Sequence, residues 1–172
     1  MTRTREIRSE ERPHYGASAR APASSRESDD QIIAQALEIL ERRLRQPGPA
    51  LSDPNAVRHF LRLHLSESEH EVFWVLFLDN QNQLLHSEPM FRGTIDGARV
   101  YPREILKTAL KHNAAAIICA HNHPSGSTRP SAADRDITTQ IRSALEYVDI
   151  RLLDHLIIAR DQIVSFAEQR IL

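Results

Sequence analysis

Residues 114–126 read AAAIICAHNHPSG, a short apolar segment that runs straight into two histidines and then into a turn built on proline and glycine. Ala114 to Ala120 is too short for a typical helix and follows a helical pattern, so it is read as a strand of an α/β domain. That helix opens with Pro102 in its first turn and points Ile105, Leu106, Ala109 and Leu110 inward. Side chains alternate along a strand, so His121 and His123 project to one side of its end. They can share one ion.

Outward from this stretch, residues 71–78 (EVFWVLFL) form another continuous apolar run, closed by Asp79-Asn80-Gln81-Asn82, and read as a central strand and turn. Leu84 to Phe91 is read as its neighbour, and Gly93 to Gly97 as a loop. Beyond a polar loop from Asn122 to Pro130, the residues Ile137, Ile141, Ala144, Leu145 and Val148 mark a helix. Ile150 to Ala159 and Ile163 to Phe166 then supply the last strands. This is a mixed sheet flanked by helices.

Toward the N-terminus, Ser52-Asp53-Pro54 reads as a helix start, followed by the apolar stripe Val57, Phe60, Leu61 and Leu65. An earlier helix carries Ile33, Leu37, Leu40 and Leu44, with Asp29 or Asp30 as its cap and Gln46-Pro47-Gly48-Pro49 as its stop. Met1 to Glu27 has six Arg, four Glu and almost no aliphatic side chains, too little apolar surface to offset chain entropy. The expected division is a disordered tail over 1–28, a helical extension over 29–66, and the site-bearing domain over 67–172.

The 172 residues, 41% hydrophobic and 26% charged, describe a globular protein rather than a fibre. No apolar run approaches the ~18 to 20 residues that cross a bilayer, and no secretory h-region opens the chain, so a cytoplasmic protein is expected. The single cysteine, Cys119, cannot close an internal disulfide. A net charge of -1 argues against a whole-molecule electrostatic grip on nucleic acid.

The chemistry gathers around the two histidines. A carboxylate from Asp134 would complete a three-ligand set that leaves a fourth zinc position open for water. Pro124, Gly126 and Pro130 fit a tight return that brings the next helix start beside the strand end. Hydrolysis also needs a base, and Glu71, at the mouth of the long apolar strand, is the candidate. Ser131 could donate a hydrogen bond to an oxyanion. It has a structural rival, because Ser131-Ala-Ala-Asp134 is also close to a capping box.

Other residues invite plainer readings. Cys119 shares the strand parity of His121 and could be a thiol ligand, but a small buried residue is the better account. Asp154-His155 reads either as a pair that orients a ligand or as a satisfied core histidine. Ser125 needs only turn chemistry. His70-Glu71 begins an HExxH-like string, but Trp74 occupies its last position.

Glu71, His121-x-His123, seven residues, Ser131, two residues and Asp134 together resemble the JAMM signature of MPN-type (JAB) zinc metalloproteases. More narrowly, Tyr101-Pro-Arg-Glu-Ile-Leu-Lys, Asn113-Ala-Ala-Ala, His121-Asn-His-Pro-Ser-Gly and Leu153-Asp-His-Leu-Ile are similar to the RadC family, over roughly Asp53 to the C-terminus. The resemblance implies an MPN/JAB, cytidine-deaminase-like α/β fold with Zn2+ held by His121, His123 and Asp134. It implies Glu71 as the water-activating base and Ser131 as oxyanion support, with Glu69 or Glu67 as stand-ins if the register slips. It implies a peptide or protein substrate. Longer RadC relatives carry a helix-hairpin-helix region whose glycine-bearing pattern is not found in the first seventy residues, so the chain is expected to resemble short prophage-type members.

Two alternatives follow from the same residues. One is a non-catalytic binding module associated with DNA recombination, repair or prophage functions, with DNA weakly supported as a partner. The other is a non-haem iron centre, since two histidines and a carboxylate also make a facial triad.

Overall fold

A computed structural model of the chain describes residues 23–45, 54–93 and 99–172. Its centre is a five-stranded sheet in the order β2-β1-β3-β4-β5. The strands are β1 (Val72–Leu78), β2 (Leu84–Arg92), β3 (Ala116–Asn122), β4 (Arg151–Ala159) and β5 (Gln162–Ser165). Only β3 and β4 run parallel, and α4 (Ala132–Glu146) lies between them in sequence; the other pairs are antiparallel. The mixed α/β sheet expected from the sequence is therefore present.

The apolar runs are continuous because helices cover both faces of the sheet. On one face, α2 (Pro54–Leu65) lays Val57, Phe60, Leu61 and Leu65 against Val72, Leu76, Leu78, Ile118, Ala120 and Leu156, with Leu37 and Leu40 of α1 (Ala23–Arg45) packed on the rim. On the other, α3 (Pro102–Lys111) and α4 cover Phe73, Val75, Phe77, Ile117 and Cys119 with Ile105, Ala109, Ile141 and Leu145. Every residue of β3 is buried. No described helix is long and apolar enough to cross a membrane.

Several boundaries differ from expectation. α1 begins at Ala23, so residues 23–28 are helical rather than part of a tail, and Asp29 and Asp30 lie inside the helix instead of capping it. Leu110 is 52% exposed rather than inward. β3 continues through His121 and Asn122, so the polar loop starts later than the composition suggested. Val148 and Ile150 lie beyond the ends of α4 and β4, although Ile150 is still buried. The tail over 1–22, the stop at Gln46-Pro47-Gly48-Pro49, the start at Ser52-Asp53 and the loop over 94–97 lie outside the described residues.

Both helices on the site face end alike. Asn113 after α3 and Asp149 after α4 take left-handed backbone (φ 50° and 57°), which short polar side chains tolerate, and send the chain directly into β3 and β4.

Candidate metal centre

The end of β3 brings the histidines to the α4 side of the sheet. β1 and β3 pair antiparallel with Phe73 opposite His121, and the two rings stack at 6.1 Å. The His123 amide donates to the Ile158 carbonyl of β4 (2.9 Å), so this residue stays anchored although its strand has ended. The chain then reverses through Pro124-Ser125, closed by the Gly126 amide donating to the His123 carbonyl (2.9 Å). Gly126 has φ +77°, a conformation that strains residues with a Cβ, and a Cβ there would press on the Arg160 side chain at 3.2 Å, so this corner favours glycine.

α4 starts at this point. The Asp134 amide donates to Ser131 Oγ (3.1 Å) and the Ser131 amide donates to Asp134 Oδ2 (2.7 Å), a complete capping box. The structural role foreseen for Ser131 is thus present, and it leaves the hydroxyl hydrogen for another acceptor. The box also fixes the Asp134 carboxylate toward the histidines.

His121 Nε2 lies 2.9 Å from His123 Nε2 and 3.3 Å from Asp134 Oδ1, and His123 Nε2 lies 3.5 Å from Asp134 Oδ2. One ligand atom from each residue falls within 4.8 Å of the others, and among the described residues this is the one such cluster. Bonds of ~2.0–2.1 Å to a single ion put ligand atoms roughly 3 to 4 Å apart, so the donor set fits a metal. His123 Nδ1 sits 2.8 Å from the Ser127 carbonyl, which can only accept, so this nitrogen carries hydrogen and Nε2 is the coordinating atom.

The electrostatics agree. Burial alone would raise the Asp134 pKa, but with a proton in place of an ion between the rings and the carboxylate, hydrogen bonds from His121 and His123 hold that carboxylate well below the usual range. The same hydrogen bond raises His123, against burial, with the Ser127 carbonyl and the Glu71 charge adding to the effect. The pocket asks for a positive charge between these groups, a proton or a cation.

Glu71 precedes β1 and is half-buried, its carbonyl accepting from the Gly93 amide (2.8 Å). Continuing the β1–β3 register puts Glu71 level with His123 and, by strand parity, on the histidine face. Glu67 and Glu69 are exposed and line an open cavity with Asn122, His123 and Arg160.

Asn122 was given no role from the sequence, yet it organises this edge. Only 3% exposed and turned to the face opposite the histidines, its Oδ1 accepts from the Val72 amide (2.7 Å) and its Nδ2 donates to the carbonyls of His70 (2.9 Å) and Ser68 (3.2 Å). One side chain thus clasps the backbone on both sides of Glu71. A polar residue between two histidines, on a strand otherwise apolar, was the available signal.

Of the remaining candidates, Cys119 is fully buried beside Val75 and His155, and burial pushes its thiol pKa up, so it stays protonated outside the ligand cluster. Asp154 does not pair with the His155 ring: its carboxylate accepts from Ser165 Oγ (2.6 Å), the Ala167 amide (3.0 Å) and the His155 amide (2.7 Å). His155 alone reaches the centre, 2.9 Å from His121 Nδ1. Ser125 lies in the turn, its Oγ near the Ser127 amide (3.4 Å).

A mixed sheet covered by helices, with a His-His-Asp cluster where one strand meets a capped helix, defines a JAB-type domain. The RadC-like JAB domain family matches residues 51–171, and the chain belongs to it. It is 50% identical over 151 residues to the UPF0758 protein YkfG of Escherichia coli, covering 88% of this chain and 96% of that one. It is also 50% identical over 141 residues to YeeS of the same organism, covering 82% and 95%. A UPF0758 protein of Cellvibrio japonicus is 57% identical over 122 residues, covering 71% of this chain but 54% of the relative. The chain therefore spans nearly all of two relatives and about half of the third.

Proposed function

We propose that this protein is a zinc-dependent hydrolase of amide bonds, a metallopeptidase or isopeptidase acting on a peptide or protein. The observation that carries the reading is the convergence of His121 Nε2, His123 Nε2 and an Asp134 oxygen within 4.8 Å, with Glu71 level with His123 on the same face. Membership of a JAB domain family, which has metalloprotease members, supports it. Two imidazoles and a carboxylate suit zinc with an open position. The same three ligands can hold iron, but facial triads of that kind commonly line all-β barrels, and the α/β sheet favours zinc.

When bound, the ion would supply Lewis acidity and a water acidified toward ~7. Glu71, level with His123 on the same face, would serve as the base, accepting a proton from an attacking water and passing it to the departing amine. Ser131, its oxygen already occupied by the Asp134 amide, turns its O–H to the carbonyl oxygen as negative charge gathers there. His123, anchored through Ile158 and Ser127, keeps its coordinating nitrogen fixed while this happens.

Metal analysis of purified wild type, His121→Ala, His123→Ala, Asp134→Ala and Glu71→Gln tests the assignment. Zinc should be lost from the three ligand variants and retained by Glu71→Gln, which should have no turnover; equal zinc in all five would refute it. Peptides that accumulate only in cells carrying Glu71→Gln would identify the substrate.

A further inference from the structure

Behind His121 lies a second, wholly buried histidine that the proposed reaction does not use. His155 has no exposed surface, with Phe73 at 5.3 Å and Phe166 at 4.9 Å between ring centroids, an apolar enclosure that favours the neutral ring. Its Nε2 lies 2.9 Å from His121 Nδ1, and its Nδ1 lies 2.6 Å from Thr138 Oγ1. Thr138, itself buried and one turn after Asp134 on α4, also places Oγ1 2.5 Å from the Asp134 backbone carbonyl.

These distances set the direction of every proton. A carbonyl cannot donate, and two oxygens approach this closely only with a hydrogen between them, so the one hydroxyl hydrogen of Thr138 points to Asp134. The hydroxyl must then accept from His155, which puts the hydrogen of that neutral ring on Nδ1 and leaves Nε2 as an acceptor. His121 can satisfy that acceptor only through Nδ1–H. Its own lone pair is left on Nε2, the atom that faces His123 and Asp134.

We infer that Thr138 and His155 are positioning residues that lock His121 in the Nδ1-protonated tautomer and so present Nε2 to the metal. The inference rests on reading His121, His123 and Asp134 as the ligands. The reverse order of donors would put hydrogen on His121 Nε2 and block coordination, so the orientation of one hydroxyl decides whether a ligand exists. The fold supplies the geometry through a bulge in β4. Leu152 pairs with Ile117 but Asp154 pairs with Ile118, so Leu153 is an extra residue. Without it, strand alternation from Leu152 would turn His155 to the opposite face of the sheet. With it, His155 sits beside Cys119 on the His121 side.

Two measurements on the full chain test this without an activity assay. In the metal-free protein, labelled with 15N-histidine and kept above the ordinary imidazole pKa, ring 1H–15N correlations should show both His155 and His121 protonated on Nδ1; His155 protonated on Nε2 would overturn the inference. Zinc competition with a chelator should then show Thr138→Val, which keeps the shape but removes the hydroxyl, binding about ten- to a hundred-fold more weakly. Thr138→Ser should bind like wild type. Folded Thr138→Val with unchanged zinc affinity would equally overturn it. Both readouts stand apart from turnover: an inactive protein with these tautomers would reject the hydrolase reading and leave the relay intact.

Discussion

At the scale of single residues, the centre depends on which way side chains leave one strand. His121 and His123 leave on one side of β3, and Asn122 between them leaves on the other, where it satisfies three backbone groups around Glu71. Removing it orphans the buried Val72 amide, at a cost of about 1–3 kcal/mol, and strips the part-buried carbonyls of Ser68 and His70 of their donor. Asn122→Leu should therefore lower the urea midpoint by the equivalent of roughly 2 kcal/mol or more. Asn122→Asp should not restore it, because a carboxylate can accept from Val72 but repels the carbonyls of Ser68 and His70. Zinc stoichiometry should survive both substitutions, since none of the three ligands is touched, whereas turnover should fall with the displacement of Glu71. The His121, His123 and Asp134 cluster was legible because its residue types and spacing are those able to hold a metal ion. The roles of Asn122 and Thr138 were not, because an amide or a hydroxyl announces nothing until its partners are known.

At the scale of elements, β1, β3 and the helices over the site were readable as apolar runs of strand or helix period, and their inner faces match those expected, Leu110 excepted. Asn113 and Asp149 show how ends are set by left-handed residues rather than by the apolar pattern. The start of α1 was misplaced because residues 23–28 carry no apolar stripe, and a helix can extend through polar residues once its neighbours hold it. The docking of α2 gives a test by pH. His64 of α2 stacks on Trp74 of β1 at 4.3 Å, and burial lowers its pKa, opposed by the charge of Glu41. For a histidine lowered in this way, the stabilising contribution is full above the unfolded value of 6.5 and is lost as pH falls below it. Protonation of His64 should quench Trp74, the only tryptophan of the chain, so fluorescence should titrate at a midpoint below 6.5. His64→Gln should abolish that titration; an unchanged curve would place the effect elsewhere.

At the scale of the molecule, the candidate metal centre joins elements distant in sequence: β3, the start of α4 and, through His155, β4. An ion held there ties the sheet to one of its covering helices, so binding should stabilise the fold as a whole. Zinc at a hundred times its Kd should add about 2.7 kcal/mol to the free energy of unfolding, and a chelator should remove it. Asp134→Ala should unfold at the same denaturant concentration with and without zinc, and a zinc-dependent shift in that variant would argue against this set of ligands. What the sequence determined by itself was the class of fold, through apolar periodicity, and the three residues that could hold a metal ion, through residue types able to coordinate metal at a recognisable spacing. Tertiary structure alone decided which nitrogen of His121 is free, which backbone Asn122 clasps, and that His155 faces the centre. Each of those depends on a pairing register or a bulge in β4, and a one-residue slip in register reverses the face of every side chain on a strand.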